Sequence, residues 1–448
     1  MTGRRPRRRA PRFGGGAAGP AFSRAWRRRI LARLRAGARL PIRWLLRRRR
    51  RRRGGRREPG EAHLDLDYFA ATGLDALYPL YPGNRIRVFR EGSGAFRSME
   101  RAIRAARESV FFEVYIFAAD ACGERILGLL AEAARRGARV ILLVDAVGSL
   151  ETGDAFFEPL REAGGRVEWF NPIFGWHRKR WNPSQRDHRK ILVVDGRVAY
   201  VGGMNVDNAT SANHETDPAA WRDTHARVSG PVVGEIRDLF SGHFEWVTGE
   251  KLREEAEEAA PAAPAGDSAA RVVGGEPGTR IGPIRRAYGF ALRRARRSAY
   301  FTTAYFVPPR SFLRSLKRAA RRGVDVRLLV PGRTDHVFVM RAGQSFYAQL
   351  LRAGVRIYEW TRSPLHAKSA VVDGVWGVVG SSNLDVRSFE INYEADLHVA
   401  GPRVGFFLTA IFMKDIAAAA EIRAGEWEKR GAWRKFTEKF CALFRRFL

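Results

Sequence analysis

Apolar and polar positions alternate in a way that predicts two α/β units of similar layout, in residues 63–250 and 276–415. Short apolar runs rich in β-branched residues indicate strands, and apolar positions three and four residues apart indicate helices packed on them. The elements expected in the first unit are strands over Val110–Phe117, Arg139–Asp145 and Val167–Phe170, and helices over Glu124–Arg136 and Phe156–Ala163. Gly137 follows the longer helix and is expected to end it in the left-handed conformation.

The second unit repeats the first over a long period. AARRGVDVRLLV, at Ala319–Val330, parallels AARRGARVILLV at Ala133–Val144, and AYFTTAYF parallels VFFEVYIF. Such a duplication predicts an α/β fold of two similar domains, each a mixed β-sheet flanked by helices, related by pseudo-twofold symmetry. Pockets commonly form where such units meet, so the active site is expected at their interface.

Three segments of different composition flank or separate these units. Residues 1–62 form a basic leader that is expected to be disordered, because it combines an arginine tract with Gly and Pro. Helical spacing of its few apolar residues indicates a part that lies on a membrane surface; the alternatives are a solvated tail or a wrongly assigned translation start. Residues 251–275 are rich in Ala, Glu, Pro and Gly, which predicts a flexible linker. Residues 416–448 are expected to form a C-terminal amphipathic helical tail.

The tail carries an amphipathic helical pattern near its end. Bulky apolar residues recur at helical spacing, and basic residues occupy other positions. The apolar set is Trp433, Phe436, Phe440, Leu443, Phe444 and Phe447, and the basic set is Arg434, Lys435, Lys439, Arg445 and Arg446. A basic helix with an aromatic face is typical of a membrane interface, and the alternative is a helix that packs on the body of the protein.

Charge and cysteine usage narrow the class of protein. The formal net charge is +33, and residues 1–57 hold 23 arginines and no acidic residue, which leaves +10 for the remainder. This excess favours an anionic partner, either lipid or nucleic acid. Two cysteines, Cys122 and Cys441, are too few for a disulfide framework and fit a reducing compartment. The sequence has neither an apolar run long enough to span a membrane nor the pattern of a signal peptide.

One motif occurs twice, once in each unit. In both copies a His is followed by Lys at i+2, Asp at i+7 and Asn at i+17. The members are His188, Lys190, Asp195 and Asn205 in the first copy, and His366, Lys368, Asp373 and Asn383 in the second. The residues between Lys and Asp are mostly apolar and predict a strand, on which i and i+2 share a face, so that His and Lys project together. Asp followed by Gly then ends the strand in a turn.

Two copies of the motif can surround one pocket with two imidazoles, two ammonium groups and two carboxamides. A single copy would more often be a half-buried strand that carries His and Lys by chance, but the repeat with matching Gly and Asn makes coincidence a poor explanation. The set suits phosphoryl transfer, with a nucleophile, an acid and donors for the phosphate oxygens. Neither clustered carboxylates nor a His/Cys set accompanies it, so no metal or cofactor is expected.

The paired pattern resembles the phospholipase D superfamily. The longer sequence segments around it resemble the bacterial cardiolipin synthases over residues 63–415. The similar segments are FFEVYIF, DHRKILVVDGRVAYVGGMN, WRDTHARVSGP, AYFVPP, RRGVDVRLLVPGRTDH and LHAKSAVVDGVWGVVGSSNLDVRSFEINYEADL. The resemblance implies two phospholipase D-type domains and a phosphohistidine intermediate. Many bacterial cardiolipin synthases carry N-terminal membrane spans, and this sequence is more similar to the branch without them.

The resemblance also implies a role for each motif residue. His188 would be the nucleophile, and His366 the general acid that later acts as a base. The groups expected to bind the phosphate oxygens are Lys190, Lys368, Asn205, Asn383 and the hydroxyl of Ser381, with Gly203 in place of that serine in the first copy. Asp223 and Glu394 would orient the imidazoles, and the alternative for both is surface ion pairing.

Other polar residues are expected to contribute less. Asp195 and Asp373 complete the motif, but they end the catalytic strands, which favours a structural role. His177, His225 and His336 are further candidates for the site, with an interface or surface position as the alternative.

The leading hypothesis is a phosphatidyltransferase bound peripherally to the cytoplasmic side of the membrane. Phosphatidylglycerol would donate its phosphatidyl group, and a second phosphatidylglycerol or phosphatidylethanolamine would accept it to give cardiolipin. The alternatives are a phospholipase D hydrolase, a nuclease or phosphodiesterase aided by the basic leader, and a non-catalytic membrane-binding protein. The intact double motif argues against the last, and the aromatic tail favours an anionic lipid surface over nucleic acid. The acceptor and the oligomeric state stay open.

Overall fold

The computed structural model describes residues 78–172, 182–252, 262–278, 282–334 and 336–445. The expected basic leader and His177 lie outside the described residues. Both cysteines are free and buried. Within the described ranges, no helix has the length and apolar character needed to cross a membrane.

Fifteen of the strands form one continuous mixed sheet. The strands are β1 (Tyr81–Phe89), β2 (Ser109–Val114), β3 (Arg139–Asp145), β4 (Arg166–Phe170), β5 (Ile191–Val194), β6 (Val198–Gly202), β7 (His225–Ser229), β8 (Ser268–Gly275), β9 (Ser298–Thr302), β10 (Phe306–Val307), β11 (Asp325–Pro331), β12 (Arg356–Trp360), β13 (Ser369–Val372), β14 (Trp376–Gly380), β15 (Leu384–Asp385), β16 (Glu394–Ala400) and β17 (Ala420–Ile422). Their order in the sheet is β17-β12-β11-β9-β13-β14-β16-β8-β1-β7-β6-β5-β2-β3-β4, and β10 pairs separately with β15.

The sheet consists of two halves with the same strand order. From its outer edge inward, the first half runs β4-β3-β2-β5-β6-β7-β1, and the second runs β12-β11-β9-β13-β14-β16-β8, with β17 added outside β12. In each half three parallel strands lie beside antiparallel ones, and β1 pairs antiparallel with β8 to join the halves. The predicted pair of mixed α/β domains is therefore confirmed, with the addition that one sheet runs through both.

Helices cover both faces of the sheet. They are α1 (Gly92–Ala105), α2 (Ala121–Arg135), α3 (Glu158–Glu162), α4 (Asn208–Ser211), α5 (Val232–Thr248), α6 (Pro283–Arg294), α7 (Arg310–Arg321), α8 (Val337–Gln344), α9 (Tyr347–Leu351), α10 (Val386–Glu390), α11 (Pro402–Ile416), α12 (Ala424–Glu428) and α13 (Ala432–Leu443). On one face each half has its own apolar core, and on the other α5 and α11 pack into a core shared by both halves. This shared core holds the two motif strands in one rigid frame.

The linker expected over residues 251–275 is wrong in its last third. Ser268–Gly275 is strand β8, which pairs with β16 on one side and β1 on the other at the centre of the sheet. The run SAARVVGG has small residues and two glycines, so its composition does not distinguish it from a linker. Pairing with two neighbouring strands, which sequence alone does not show, gives the segment its structure.

Two other expected elements differ in detail. The helix expected over Phe156–Ala163 starts as a 3₁₀ turn at Asp154–Phe157 and continues as α3. The tail is not helical from its start, because Ala420–Ile422 adds strand β17 to the edge of the sheet. The amphipathic helix of the tail is confirmed as α13.

Candidate active site

The two motif histidines lie at one edge of the sheet, where β5 and β13 begin and the parallel strands end. We call this the catalytic edge. His188 stands three residues before β5, and its backbone N–H donates to the carbonyl oxygen of Tyr393 at 2.9 Å. His366 stands three residues before β13, and its N–H donates to the carbonyl oxygen of Arg222 at 2.9 Å. Tyr393 belongs to the second half and Arg222 to the first, so each histidine loop is tied to the opposite half.

Each imidazole also contacts a carboxylate from the opposite half. Nδ1 of His188 lies 3.1 Å from both carboxyl oxygens of Glu394. Nδ1 of His366 lies 2.7 Å from Oδ2 of Asp223. With Nδ1–H directed at the acid, Nε2 is the nitrogen that faces a substrate. The pairing expected from the sequence is therefore present, and it is crossed between the halves.

The two acids differ in protonation. Burial raises the pKa of Glu394 to about 8, although Lys190 and Ser381 act to lower it. Burial also acts to raise the pKa of Asp223, but the positive charges of His366 and Lys368 outweigh it and leave that pKa below its ordinary value. Asp223 is thus the firmly ionised member of the pair of acids.

The imidazoles differ accordingly. Burial and the charges of Lys190 and Lys368 hold the pKa of His188 well below its ordinary value. Burial and the charge of Lys368 lower the pKa of His366 to about 3, although the charge and hydrogen bond of Asp223 oppose them. What distinguishes His366 from His188 is its direct contact with the ionised Asp223.

The motif lysines project with the histidines, as the strand pattern predicts. Nζ of Lys190 donates to the carbonyl oxygen of His188 at 2.8 Å, and Nζ of Lys368 donates to that of His366. Burial lowers the pKa of Lys190 to about 7 and that of Lys368 to about 8, with nearby carboxylates acting in opposition. A bound phosphate would favour the charged form of both, which couples binding of an anion to the charge of the site.

The two motif asparagines are oriented by backbone contacts. Oδ1 of Asn205 accepts from the N–H of Ile116 at 3.3 Å, and Oδ1 of Asn383 accepts from the N–H of Tyr305 at 3.2 Å. These contacts occupy the amide oxygen, which leaves the NH₂ group of each side chain to donate to a substrate.

Ser381 differs from the expectation. Its hydroxyl donates to Oε2 of Glu394 and accepts from the N–H of Ala395 at 3.0 Å, so it holds the acid instead of facing a phosphate. In the first half, a Cβ at Gly203 would lie 2.3 Å from Oδ1 of Asp223. The absence of a side chain at Gly203 is what allows Asp223 to reach His366.

Replacement of Gly203 by Ala is expected to lower the transfer rate by about 10²-fold, the cost typical of a displacement of about 1 Å in a catalytic group. The new methyl group overlaps Asp223, which has to move away from His366. The measurement is turnover of the purified variant, with circular dichroism to confirm folding. Gly128→Ala is the matched control, since a Cβ there meets no atom within 4 Å. Turnover of Gly203→Ala equal to that of the control would contradict this account.

The third motif position does not join the site. The carboxylate of Asp195 accepts from the backbone N–H groups of Arg107, Glu108 and Ser109, and Asp373 makes the equivalent contacts with residues 296–298. Seven residues of extended chain at about 3.3 Å each place these aspartates roughly 20 Å from the histidines. Asp195 and Asp373 were grouped with the catalytic residues because they complete the motif, and this grouping is wrong: in line with the structural role that their position favours, they fasten the turn at the opposite edge of the sheet.

Two aromatic rings that the motif does not contain flank the histidines. The ring of Tyr115 lies 5.2 Å from that of His188 in an edge-on contact, and Nζ of Lys190 lies 5.0 Å from the same ring. Trp221 lies 4.9 Å from His366. Tyr115 lies in the segment FFEVYIF and Trp221 directly precedes Arg222, so only the resemblance, not any spacing rule, pointed to them.

A buried ion pair supports the loop of His366. The Arg222 guanidinium lies 2.5 Å from Oδ2 of Asp415, a residue of α11, and both side chains are fully buried. Arg90 also reaches Asp415, at 2.7 Å. At the equivalent place in the other half, Tyr393 stacks on His243 of α5 with 4.4 Å between ring centroids. Each crossing segment is thus fixed to the helix of the opposite half, α11 or α5, that packs into the shared core.

Two of the remaining candidate histidines lie within the described residues. His225 is buried on β7, and burial lowers its pKa to about 4. His336 is exposed and contacts the ring of Tyr305 at 5.6 Å.

Among the described residues, one group of three could offer ligand atoms to a metal ion. It comprises Glu113, Asp187 and His243, all buried, with their ligand atoms within 4.8 Å of one another. Nδ1 of His243 lies 2.7 Å from Oε1 of Glu113, and the guanidinium of Arg189 lies 3.7 Å from the same oxygen. Arg189 already provides the positive charge that a cation would bring, so we interpret the group as an ion network beneath the His188 loop.

The chain is similar in sequence to known proteins over most of its length. Residues 99–235 and 290–416 match the family described as cardiolipin synthase, PLD-like domain. The chain is 32% identical to the cardiolipin synthase of Halalkalibacterium halodurans over 372 residues, which cover 82% of this chain and 72% of that protein. It is 33% identical to that of Geobacillus kaustophilus over 357 residues, which cover 79% of this chain and 70% of that protein.

Solved structures share the fold at lower sequence identity. The crystal structure of phosphatidylserine synthase from Haemophilus influenzae aligns with a TM-score of 0.63 and 13% identity, covering 81% of this chain and 95% of that chain. Polyphosphate kinase from Porphyromonas gingivalis aligns with a TM-score of 0.51 and 13% identity, covering 76% of this chain and 49% of that chain. These likenesses concern the fold alone.

Proposed function

This chain belongs to the family of cardiolipin synthases with a phospholipase D-like domain, and we propose that it joins two phosphatidylglycerol molecules into cardiolipin through a phosphohistidine intermediate. Membership makes it an enzyme of the phosphatidyltransferase class. The observation that supports the proposed route is the pair of imidazoles whose acids are exchanged between the halves and differ in charge state.

The first step loads the enzyme. Nε2 of His188 attacks the phosphorus of phosphatidylglycerol, the bond from phosphorus to the glycerol oxygen breaks, and His366 gives its proton to the departing glycerol. Lys190 and Lys368 hold the non-bridging oxygens, and Asp223 stabilises the protonated form of His366 until transfer. Glu394 holds the ring of His188 with its Nδ1–H directed away from phosphorus.

The second step reverses the roles. His366, now neutral, removes the proton from a hydroxyl group of a second phosphatidylglycerol. That oxygen attacks phosphorus, the bond to Nε2 of His188 breaks, and cardiolipin leaves. The overall reaction converts two phosphatidylglycerol molecules into cardiolipin and glycerol, and it regenerates both histidines in their starting states. Phosphatidylethanolamine does not fit the acceptor role expected from the sequence, because it has no free hydroxyl group; it could enter only as the donor, with ethanolamine leaving in place of glycerol.

The proposed setting is the cytoplasmic side of the membrane, with the enzyme bound peripherally to an anionic lipid surface. The excess of basic residues supports an anionic surface. The exposed aromatic residues of α13 favour lipid over nucleic acid, because a phosphate backbone offers nothing that buries them.

The test is product identification with purified enzyme and phosphatidylglycerol labelled in its terminal glycerol. We expect cardiolipin and labelled glycerol in equal amounts, and neither from His188→Ala. Phosphatidic acid formed in place of cardiolipin would identify a hydrolase with water as acceptor. The absence of any lipid product, together with cleavage of a DNA or RNA substrate, would overturn the proposal.

A further inference from the structure

We propose that exposed apolar residues at the catalytic edge form a two-sided rim that docks on an anionic lipid bilayer, so that the active-site mouth faces the membrane. We call this set the apolar rim. Its members are Val147 and Leu150 in the first half, and Val337, Phe338, Trp433, Phe436, Phe440, Leu443 and Phe444 in the second. The proposal rests on the proposed function for its substrate, and it adds the surface through which that substrate is reached.

The sheet places both parts of the rim beside the histidines. Parallel strands β3 and β11 run toward the catalytic edge, since each lies parallel to a strand that pairs antiparallel with a motif strand. The loop that carries Val147 and Leu150 follows β3, and α8 with Val337 and Phe338 follows β11. These segments occupy equivalent places in the two halves, so the pseudo-twofold symmetry puts one on each side of the mouth.

The first part is held in place from beneath. The N–H groups of Val147 and Gly148 donate to Oδ1 of Asp145 at 2.8 and 2.9 Å. The other oxygen of Asp145 accepts from the N–H of Asp187, the residue next to His188. Leu150 is 60% exposed on this loop. The loop beside the nucleophile is already fixed while Leu150 faces water. It therefore loses little further conformational entropy when Leu150 inserts into a lipid phase.

The second part is a continuous row of rings. Phe338 of α8 lies 5.8 Å from Phe444, and the row continues along α13 through Phe440 and Phe436 to Trp433, with 5.4, 6.3 and 5.5 Å between successive ring centroids. Trp433 is 76% exposed. Near the start of α8, His336 contacts Tyr305, whose N–H holds the motif residue Asn383.

Within the described residues, the rings from Trp433 to Phe444 stay exposed, while the opposite side of α13 contacts the protein. Arg430 pairs with the buried Glu438 at 2.8 Å, Arg430 also lies over the ring of Trp427 at 4.4 Å, and Cys441 is buried. These contacts fasten the opposite side of α13 to the protein. The helix therefore packs on the body and also presents its rings outward, which combines the two alternatives that the sequence left open.

Charge identifies the occupant as anionic lipid. Arg434, Lys435 and Lys439 lie on α13 among the exposed rings. Basic side chains beside exposed aromatic rings suit an anionic bilayer interface, where rings bury among acyl chains and cations meet phosphate groups. A second copy of the chain would bring the same positive charges face to face with these, which opposes association through this surface.

The chain contains a matched control at the other edge of the sheet. Phe406 and Phe407 of α11 are 68% and 50% exposed. Gly405 beside them packs against the backbone of Gly374, which follows Asp373 at the edge opposite the histidines. Phe406 and Phe407 are thus exposed and apolar like the members of the apolar rim, but they lie at the edge of the sheet opposite the histidines.

The experiment compares three full-length variants: Leu150→Ser, the triple Trp433→Ser/Phe436→Ser/Phe440→Ser, and the control Phe406→Ser/Phe407→Ser. Flotation with vesicles of phosphatidylglycerol and phosphatidylcholine is measured at about 1 M salt, where the screening length of roughly 3 Å suppresses binding through exposed arginines. Each lost anchor is expected to lower partitioning about tenfold or more, so we expect a fall of about tenfold for Leu150→Ser and about 10³-fold for the triple variant. The control is expected to bind as wild type does.

Turnover on a short-chain phosphatidylglycerol below its micelle concentration separates this proposal from the proposed function. Rim variants are expected to keep wild-type turnover on this dispersed donor while losing it on vesicles. Loss of vesicle binding in chains that process no phosphatidylglycerol would sustain the rim and reject the function. Wild-type vesicle binding by both rim variants would overturn the rim, as would an equal loss in the control. A wild-type dimer that the triple variant disrupts, with vesicle binding unchanged, would assign the surface to a second copy and also overturn it.

Discussion

His188→Ala is expected to form no covalent phosphatidyl-enzyme from any donor, whereas His366→Ala is expected to form one from a donor whose leaving group needs no proton. The first variant lacks the nitrogen that bonds to phosphorus. The second retains it but lacks the imidazole that contacts Asp223 and gives its proton to the leaving group. With phosphatidylglycerol as donor, release of glycerol by His366→Ala should slow by the ~10²–10⁴-fold typical of general acid catalysis.

A nitrophenyl phosphodiester separates the nucleophile role of His188 from the general-acid role of His366, because nitrophenolate leaves without protonation. With it His366→Ala should be loaded at a rate close to wild type, and the adduct should persist since no base activates the acceptor. Rapid-quench labelling followed by mass spectrometry of the peptide that contains residue 188 gives the measurement. Wild-type enzyme, in which the adduct forms and turns over, is the reference. Phosphorus on His366 in the His188→Ala variant would reverse the two roles.

Asp415→Ala is expected to lower the free energy of unfolding by about 3–5 kcal/mol, the cost typical of one partner removed from a buried ion pair. Arg222 has no exposed surface, and its guanidinium contacts both oxygens of Asp415. Without the aspartate, a positive charge remains buried beside another from Arg90. Urea titration monitored by tryptophan fluorescence gives the change in unfolding free energy.

The control removes an ion pair of similar geometry from the surface. Glu421 meets Arg356 at 2.8 Å, and both side chains are more than a third exposed. Glu421→Ala should cost at most about 1 kcal/mol, because water solvates the arginine that remains. Equal losses of unfolding free energy in the two variants would show that burial does not increase the cost of breaking the Arg222–Asp415 ion pair.

The strands and turns of the motifs could be predicted from the sequence, because their conformations depend on residues close together along the chain. Apolar runs gave β3 over the residues expected, and the Asp-Gly pairs that end both motif strands have positive φ at 51° and 60° in the first copy and 53° and 66° in the second. Gly137 ends its helix with φ of +93°. In each case the conformation follows from residues within a few positions of one another.

The sequence could not predict contacts between residues that belong to different strands, helices or loops. Nothing near Ser381 indicates that its hydroxyl holds Glu394, and nothing near Gly203 indicates that Asp223 fills the space above it. The pair of Arg222 and Asp415 spans 193 residues. Strand β8 likewise acquires its structure from both neighbours in the sheet. Of these contacts, the ion pair of Arg222 and Asp415 and the pairing of β8 with β1 exist only once the two halves have met.

The crossed carboxylates carry an evolutionary implication. In a symmetric homodimer of one half, each subunit would lend its acid to the histidine of its neighbour, and the dimer would hold the complete set of groups. Fusion of two such subunits would preserve the exchange, and later divergence would be free to make one acid a glutamate and the other an aspartate, as Glu394 and Asp223 are. The distinction between nucleophile and acid would then be a product of divergence after duplication, achieved without altering either His-x-Lys pair.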